Sequence, residues 1–165
     1  MPIAAIFMLV GFAVVVIGGI VLGYSLLHGS TASTAAQDVS TIAASAQSLY
    51  ANSGDYSGIS GDEASVIPTN MQVNGTYPTP VGGDWALSSS AAGSPSEFEV
   101  EMNSLSITPK ECERIITQVP SVSTYVNGAA VSGQAVGAAP TPTQATAACG
   151  TSTVTSLGFV HNSNQ

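Results

Sequence analysis

The chain has 165 residues, a length typical of one modest domain with an additional segment. Lys and Arg total only 2 against 10 Asp and Glu, so the formal net charge is -8 at pH 7. Since binding to duplex phosphates or to anionic lipid head groups requires many cations, this composition argues against direct nucleic-acid binding by a single copy of the chain.

The first 27 residues are almost entirely apolar and carry no formally charged side chain. A helix of about 20 apolar residues crosses a bilayer, and residues 1–27 show no polar face. A cleaved secretory signal would begin with basic residues, have a shorter apolar core and end in an A-x-A site. We therefore expect a membrane-type helix from which a basic leader has already been removed, with residue 1 as the mature N-terminus.

Glycine recurs along this segment at Gly11, Gly18, Gly19 and Gly23. Gly19 and Gly23 have the small-xxx-small spacing that allows apolar helices to approach closely. Two interpretations fit the pattern. The segment is either a helix that packs against copies of itself and unwinds locally near Gly18, or a single-span anchor in which glycine is simply common.

His28-Gly29-Ser30 interrupts the apolar run, and an amphipathic helix is predicted from about Thr31 to Asn52. Gly54 is expected to end this helix. Apolar residues at spacings of three and four form its predicted buried face, which consists of Val39, Ile42, Ala46, Leu49 and Tyr50.

These patterns divide the chain into two parts. An N-terminal helix at 1–53, with an apolar part at 1–27 and an amphipathic part at 31–52, precedes a globular domain at 54–165. In that domain short apolar segments alternate with turn signals, as in an antiparallel sheet. The predicted fold class is therefore α+β, with a long N-terminal helix running into an antiparallel sheet. The alternative is a membrane anchor followed by an unrelated helix.

Strands are predicted at Trp85-Ala86-Leu87, at 97–102 and finally at 153–160. Residues 97–102 alternate strictly, which directs one set of side chains to the core and the other to solvent. The inward set is Phe98, Val100 and Met102, and the outward set is Glu97, Glu99 and Glu101. Asn127-Gly128 is a hairpin signal within residues 125–131.

A helix is predicted over 106–119, where Thr108 can act as N-cap and Pro109 occupies the first turn. Glu111 follows Thr108 by three residues, as in a capping box. Pro120 is expected to stop this helix. The segment 133–149 is rich in Ala, Gly, Pro and Thr, and we predict an extended surface loop there.

The two cysteines, Cys112 and Cys149, are far apart and do not form a C-x-x-C motif, which argues against zinc and thioredoxin-like chemistry. We expect a single disulfide, which would place the domain in an oxidising compartment. Closing a loop of this size stabilises a fold by about 3–4 kcal/mol in the chain-entropy model. The alternative is two free buried thiols.

No motif supports catalysis, because the GxSxG elbow and the GxxxxGKS phosphate loop are both absent. His28 lies at the end of the apolar segment and His161 in the predicted tail. The three alternating glutamates could suggest a cation site, but a solvated strand face produces the same pattern. We expect no enzyme activity, no catalytic or metal-binding residue and no cofactor.

The elements, taken in this order, resemble a type IV pilin over the whole chain. They are an uncharged apolar helix from Met1, an amphipathic continuation and a cysteine-closed C-terminal region. The segments Gly82-Gly83-Asp84-Trp85, Phe98-Glu99-Val100 and Pro109-Lys110-Glu111-Cys112 are similar to the PilS group of IVb-like pilins, which is associated with conjugative and related pili.

The resemblance implies that an inner-membrane prepilin peptidase cuts the precursor, often with N-methylation of the new first residue, here Met1. Subunits would wait in the inner membrane until an ATPase-driven assembly machinery moves their apolar helices into a filament core. Most type IV pilins carry glutamate at mature position 5, where this chain has Ala5. Either this branch assembles without that charge pair or the register of residue 1 differs. The residues expected to pack in the filament core are Met1, Ala5, Gly11, Gly18, Gly19 and Gly23.

The sequence therefore predicts the major structural subunit of an extracellular IVb-like type IV pilus, a helical homopolymer that would support adhesion, conjugation or motility. One alternative is a minor pilin or a type II secretion pseudopilin, which would be scarce. The other is a membrane-anchored adhesin domain that never polymerises.

Overall fold

The computed structural model describes residues 31–90 and 93–164. The elements in chain order are α1 at 31–50, α2 at Glu63–Val66, a 3-10 turn at Thr69–Met71, β1 at Asp84–Ser89, β2 at Glu97–Asn103, α3 at Pro109–Ile116, β3 at Ser123–Val126, β4 at Ala129–Ala130, α4 at Pro142–Cys149 and β5 at Leu157–Asn162. A helix joined to one antiparallel sheet confirms the predicted α+β class.

The five strands form one sheet in the order β1-β2-β5-β3-β4, and every neighbouring pair is antiparallel. The last strand of the chain, β5, therefore lies in the middle of the sheet. Val100 of β2 is opposite Leu87 of β1 on one side and Phe159 of β5 on the other. Because side chains alternate along a strand, these three residues share one face, which we call the inner face. All three are buried.

The helix α1 packs across the inner face and completes the hydrophobic core with it. Its buried residues recur at spacings of three and four, which is the period of one helix face. They are Ala32, Ala35, Ala36, Val39, Ile42, Ala43 and Ala46. Most of them are alanine, and these small side chains let the helix lie close to the sheet.

The predicted buried face of α1 was wrong at Leu49, which is 56% exposed. Each helical residue turns by about 100°, so the step from Ala46 to Leu49 moves back about 60° from the buried stripe. Tyr50 turns the other way and packs against the core. The helix ends at Tyr50, two residues before the predicted Asn52, and Gly54 follows as the predicted terminator, with its N–H donating to the Tyr50 carbonyl at 2.9 Å.

Both edges of the sheet are protected against pairing with other strands. On β1, the backbone N–H groups of Leu87 and Ser89 donate to the Glu63 carboxylate and to the Ser60 hydroxyl, each at 3.2 Å. At the other edge, β4 is only a two-residue strand. Covered and very short edges limit the addition of further strands to this sheet.

The predicted hairpin is confirmed by β3 and β4. Asn127 and Gly128 both have positive φ, at 50° and 78°, as a type I′ turn requires. The Asn127 side-chain oxygen accepts hydrogen bonds from the Thr155 N–H at 2.8 Å and from the Ser156 N–H at 3.2 Å. The turn is thereby tied to the segment that leads into β5.

The helix α3 has the predicted capping box. The Thr108 hydroxyl accepts from the Glu111 N–H at 3.3 Å, and the Glu111 carboxylate accepts from the Thr108 N–H at 2.8 Å. The predicted bounds of 106–119 were too wide, because Leu105 and Ile107 donate their N–H groups to the segment before β5. Those residues are extended and cannot join the helix.

The predicted extended loop at 133–149 was wrong in its second half, which is the helix α4. Thr141 and Gln144 form a second capping box, with the Gln144 side-chain oxygen accepting from the Thr141 N–H at 2.8 Å. Pro142 occupies the first turn, as Pro109 does in α3. Only residues 133–141 form a loop.

Candidate functional site

The residues predicted for the filament core lie outside the described residues. Met1, Ala5, Gly11, Gly18, Gly19 and Gly23 therefore stay predictions, and so does N-methylation at residue 1. The predicted membrane segment at 1–27 lies in the same part of the chain. In residues 31–90 and 93–164, no helix has both the length and the apolar character needed to cross a membrane.

The side of α1 that faces away from the sheet is open to solvent. Its exposed residues are Thr34, Gln37, Ser40, Thr41, Ala44, Ser48 and Leu49. All but the last are small or uncharged polar side chains, which allow close approach by a neighbouring element. The helix thus joins the domain through one face and leaves the opposite face available for contact.

A series of aromatic side chains fastens the end of α1 to the sheet. Tyr50 and Tyr56 have ring centroids 5.5 Å apart, and Tyr56 lies 4.6 Å from Phe98 of β2. The Tyr50 hydroxyl donates to Asp62 at 2.9 Å, which connects the same helix turn to the segment before α2. The position of the domain on its helix is therefore fixed by ring packing as well as by the alanine stripe.

His161 is not in a tail, because β5 continues to Asn162 rather than ending at 160. Its ring stacks on Phe98 at 5.7 Å, and burial lowers the pKa of the imidazole to about 4. The Nε2 atom has no hydrogen-bond partner among the described residues. His161 is thus a neutral core residue at pH 7. Among the described residues, no nucleophilic side chain forms a hydrogen bond with it.

The described ranges contain no group of three or more His, Cys, Asp or Glu side chains that could hold a metal ion. The glutamates of β2 come nearest to such a group. Glu97 and Glu101 are partly exposed on the face of the sheet opposite α1, which we call the outer face. Glu101 accepts hydrogen bonds from the Ser88 hydroxyl and from the Asn103 amide.

The expectation that Glu99 is solvated was wrong, because its side chain lies on the outer face but is only 8% exposed. Its carboxylate extends over Gly158 of β5, where an added β-carbon would overlap Glu99 Oε1. Burial, with a second contribution from the negative charge of Glu101, raises the pKa of Glu99 to about 7. A strand glycine is a known sign of close approach by another group, and Gly158 is the signal that sequence reasoning missed.

The predicted disulfide is confirmed, and free thiols are excluded for both cysteines. Cys112 of α3 and Cys149 of α4 are joined at an S–S distance of 1.97 Å, with their Cα atoms 5.9 Å apart. The bond closes a segment that contains β3, β4 and the loop at 133–141. It holds two short helices side by side at the surface of the domain.

Two glutamine side chains hold the loop at 133–141 in place. Gln134 accepts from the Thr124 N–H at 2.8 Å and donates to the Ala138 carbonyl at 2.8 Å. Gln144 donates to the Gly133 carbonyl at 2.6 Å. Together with the disulfide, these bonds make the C-terminal region a fixed surface.

Both strongly basic side chains of the chain lie on α3. Lys110 and Arg114 are exposed, and Lys110 Nζ lies 3.4 Å from the Glu113 carboxylate. Arg114 forms no ion pair with any described residue. The chain has a net charge of -8, and its two strongly basic side chains both lie on this one short helix.

Comparison with known proteins places these features in context. The family model PilS, described as PilS N terminal, matches residues 29–162. A crystal structure of TcpA, a type IV pilin from Vibrio cholerae El Tor biotype, matches at 14% identity with a TM-score of 0.56, covering 81% of this chain and 99% of that one. The structure of the major type IV pilin PilA1 from Clostridium difficile matches at 16% identity with a TM-score of 0.50, covering 82% and 97%. No curated protein sequence matches the chain.

Proposed function

Because the chain belongs to the PilS family and has the fold of type IV pilins, we propose that it is the major structural subunit of an extracellular, IVb-like type IV pilus. The apolar N-terminal helices of many copies bury one another in the filament core. The sheet domains, held on α1, form the outer surface. Such a filament serves adhesion, conjugation or motility.

One observation carries this proposal: an uncharged apolar sequence of 27 residues precedes α1, and the 20 described residues of α1, at 31–50, are fastened to the domain. A domain fixed to its helix by packing, with an apolar segment beside it, is suited to polymerisation through that segment. Burial of apolar surface supplies roughly 25 cal/mol per Å². Since position 5 is Ala5, we infer that docking depends on this burial and on close packing at Gly11, Gly18 and Gly19, not on a charge pair.

Before assembly, the subunit would reside in the inner membrane after cleavage by a prepilin peptidase and N-methylation of Met1. The filament-assembly machinery of the inner membrane would be its partner there. In the fibre its main partner would be other copies of itself. A minor pilin or a type II secretion pseudopilin would have the same fold but would be scarce in sheared material, and a membrane-anchored adhesin would remain in the membrane.

A glycine substitution test separates these possibilities. Gly18→Leu and Gly19→Leu place bulky side chains where we expect helices to approach closely, and Ile17→Leu is a matched control of nearly unchanged volume. We expect each glycine variant to reduce the chain in the sheared fraction at least about tenfold relative to the membrane fraction, while the control behaves as the parent does. Normal assembly of both glycine variants would refute close packing, and absence of the parent from sheared material would favour the anchored domain.

A further inference from the structure

The outer face of the sheet contains a pocket around the buried Glu99 carboxyl. Glu99, Glu101, Asn103, Tyr125 and Gly158 are among the residues that line it, and its volume is about 240 Å³. Gly158 lies opposite both Glu101 of β2 and Tyr125 of β3, so three strands contribute to the pocket. Polymerisation through the apolar segment assigns no role to this pocket.

The two carboxylates of this pocket differ in their partners. Glu101 is satisfied within the subunit, since its oxygens accept from Ser88 and Asn103. Glu99 forms no hydrogen bond with the described residues, and its side chain, which is only 8% exposed, reaches solvent through the open pocket that it lines. The pocket is open, so water reaches this carboxyl in the isolated subunit, and a hydrogen-bonding partner from outside the subunit can replace that water.

That partner must be a hydrogen-bond donor, and a cation suits it best. The neighbouring Glu101 adds negative charge, which repels acidic groups and attracts basic ones. An arginine guanidinium offers two parallel N–H groups that match a carboxylate, and its weak hydration favours partly buried pairs. Arginine is also enriched in protein interfaces.

The chain itself supplies one such group. Arg114 is exposed on α3 and forms no ion pair with the described residues, whereas the nearby Lys110 is paired with Glu113. Copies of a chain with net charge -8 repel one another, and a contact that uses α3 brings the strong positive charge of one copy against the acidic face of another.

We propose that Arg114 of one subunit inserts into the outer-face pocket of a neighbouring copy and pairs there with Glu99. The inference rests on the proposed function, because it needs copies of this chain to assemble. Helix α3 and the outer face are different patches of one surface, so the contact is heterologous. A heterologous contact that does not close into a ring generates an open helical array, which is the geometry of a filament.

Chemical cross-linking of sheared filaments tests the contact. A zero-length carbodiimide joins amines to carboxylates, and Lys110 is the one lysine in the chain. The conservative variant Arg114→Lys provides a second lysine amine, placed at the proposed contact. We expect its filaments to give covalent dimers in which the peptide with position 114 is linked to the peptide with Glu99. In the double variant Arg114→Lys with Glu99→Gln, the dimer fraction should fall at least about fivefold.

The structure provides an internal control, because Lys110 and Glu113 are 3.4 Å apart and should be linked within one subunit in every sample. Filament yield gives a second readout. Arg114→Ala should lower the yield of sheared filaments at least about tenfold, and Lys110→Ala, which removes one positive charge from the same helix, should lower it less than about twofold. Trp85 near-ultraviolet circular dichroism verifies that each variant is folded.

The outcomes separate this contact from the function on which it rests. Filaments that form normally but link position 114 to other acidic residues, or give no dimers, would overturn the Arg114–Glu99 contact alone. Loss of filaments on chelation, without a link at Glu99, would assign the pocket to a metal cation and overturn the contact as well. If the unaltered chain formed no filaments, the proposed function itself would fail.

Discussion

Substitution of the buried Glu99 by glutamine should stabilise the isolated subunit at alkaline pH. Glutamine has nearly the same shape as a protonated glutamate and never becomes charged. The folded protein therefore avoids a buried carboxylate beside Glu101. The variant and the parent should be equally stable below about pH 4.5, where the parent carboxyl is protonated in both the folded and the unfolded chain.

The magnitude follows from the change in pKa on folding. The pKa of Glu99 is raised from 4.5 to about 7, mainly by burial and then by the charge of Glu101. The unfolded chain loses this proton near pH 4.5 while the folded chain keeps it, so the free energy of unfolding falls as pH rises towards 7. A shift of this size corresponds to about 3 kcal/mol in a fully desolvated group. Water in the open pocket screens the charge, which reduces the expected effect to about 1–2 kcal/mol.

Urea unfolding of the detergent-solubilised full chain, followed by fluorescence of Trp85, provides the assay. This residue is the one tryptophan of the chain and is buried on β1. Taking the difference between Glu99→Gln and the parent at each pH cancels the titration of His161. The His161 pKa is lowered to about 4 by burial, so His161 makes the protein lose stability as pH falls below about 6.5. At pH 8 the urea midpoint of Glu99→Gln should lie about 0.5–1 M above that of the parent.

The control is Glu97→Gln, which removes a carboxylate from the same strand and face. Glu97 is partly exposed and accepts a hydrogen bond from the Ser90 hydroxyl at 3.1 Å. A stabilisation by Glu99→Gln that is the same at pH 4.5 and pH 8, or that Glu97→Gln reproduces, would refute the argument from burial.

Three further predictions concern the fold. Replacing Cys112 and Cys149 with serine opens a segment of 37 residues and should lower the free energy of unfolding by about 4 kcal/mol, measured in urea at pH 7; a loss below about 1 kcal/mol would contradict the chain-entropy argument. Gly82→Ala should cost about 1–2 kcal/mol through its φ of +87° alone. Gly83→Ala should lower the free energy of unfolding by about 1–3 kcal/mol more than Gly82→Ala, measured by thermal unfolding, because its β-carbon would overlap the Asn103 carbonyl. Equal losses of stability in the two variants would show that the backbone shifts to relieve the overlap. Thr141→Ala removes a cap worth about 1 kcal/mol and should speed amide exchange in α4 while leaving β2 unchanged, whereas unaltered exchange in α4 would show that the disulfide alone holds it.

The two capping boxes illustrate what local sequence can predict. Thr108-Pro109-Lys110-Glu111 predicts a helix start, and Thr141-Pro142-Thr143-Gln144 carries the same signal within the segment predicted as a loop. Helix α4 consists mainly of alanine, threonine and glutamine and has no clear apolar stripe. The capping box alone is sufficient to predict this helix, whereas its composition favours a loop.

The position of α1 on the sheet could be predicted only in part. Periodicity identified Val39, Ile42 and Ala46, which are buried, because large and medium apolar residues mark a face. The rest of the buried stripe is alanine, whose weak hydrophobic signal does not separate a buried face from a solvent-exposed one. The prediction that Leu49 is buried was wrong because Leu49 lies at the margin of the buried stripe, where a small rotation about the helix axis decides whether a side chain is exposed.

The burial of Glu99 could not be predicted from its own strand. Alternation correctly put Glu99 on the face opposite Phe98 and Val100, but exposure depends on the strands beside it. In this sheet the neighbour is β5, the last strand of the chain, which lies between β2 and β3. The space over Gly158 exists only because of that long-range pairing, which no local pattern encodes.

Electron microscopy of material sheared from cells that express the chain, with the subunit identified by mass, tests the central claim most directly. If the chain is the major subunit, the fibres should be thin and uniform and should consist mainly of this chain, with α-helices in the core, the sheet domains outside and Met1 as the first residue. Fibres made mainly of another protein would contradict the role of major subunit. A chain that stays in the inner membrane without forming fibres would contradict polymerisation itself.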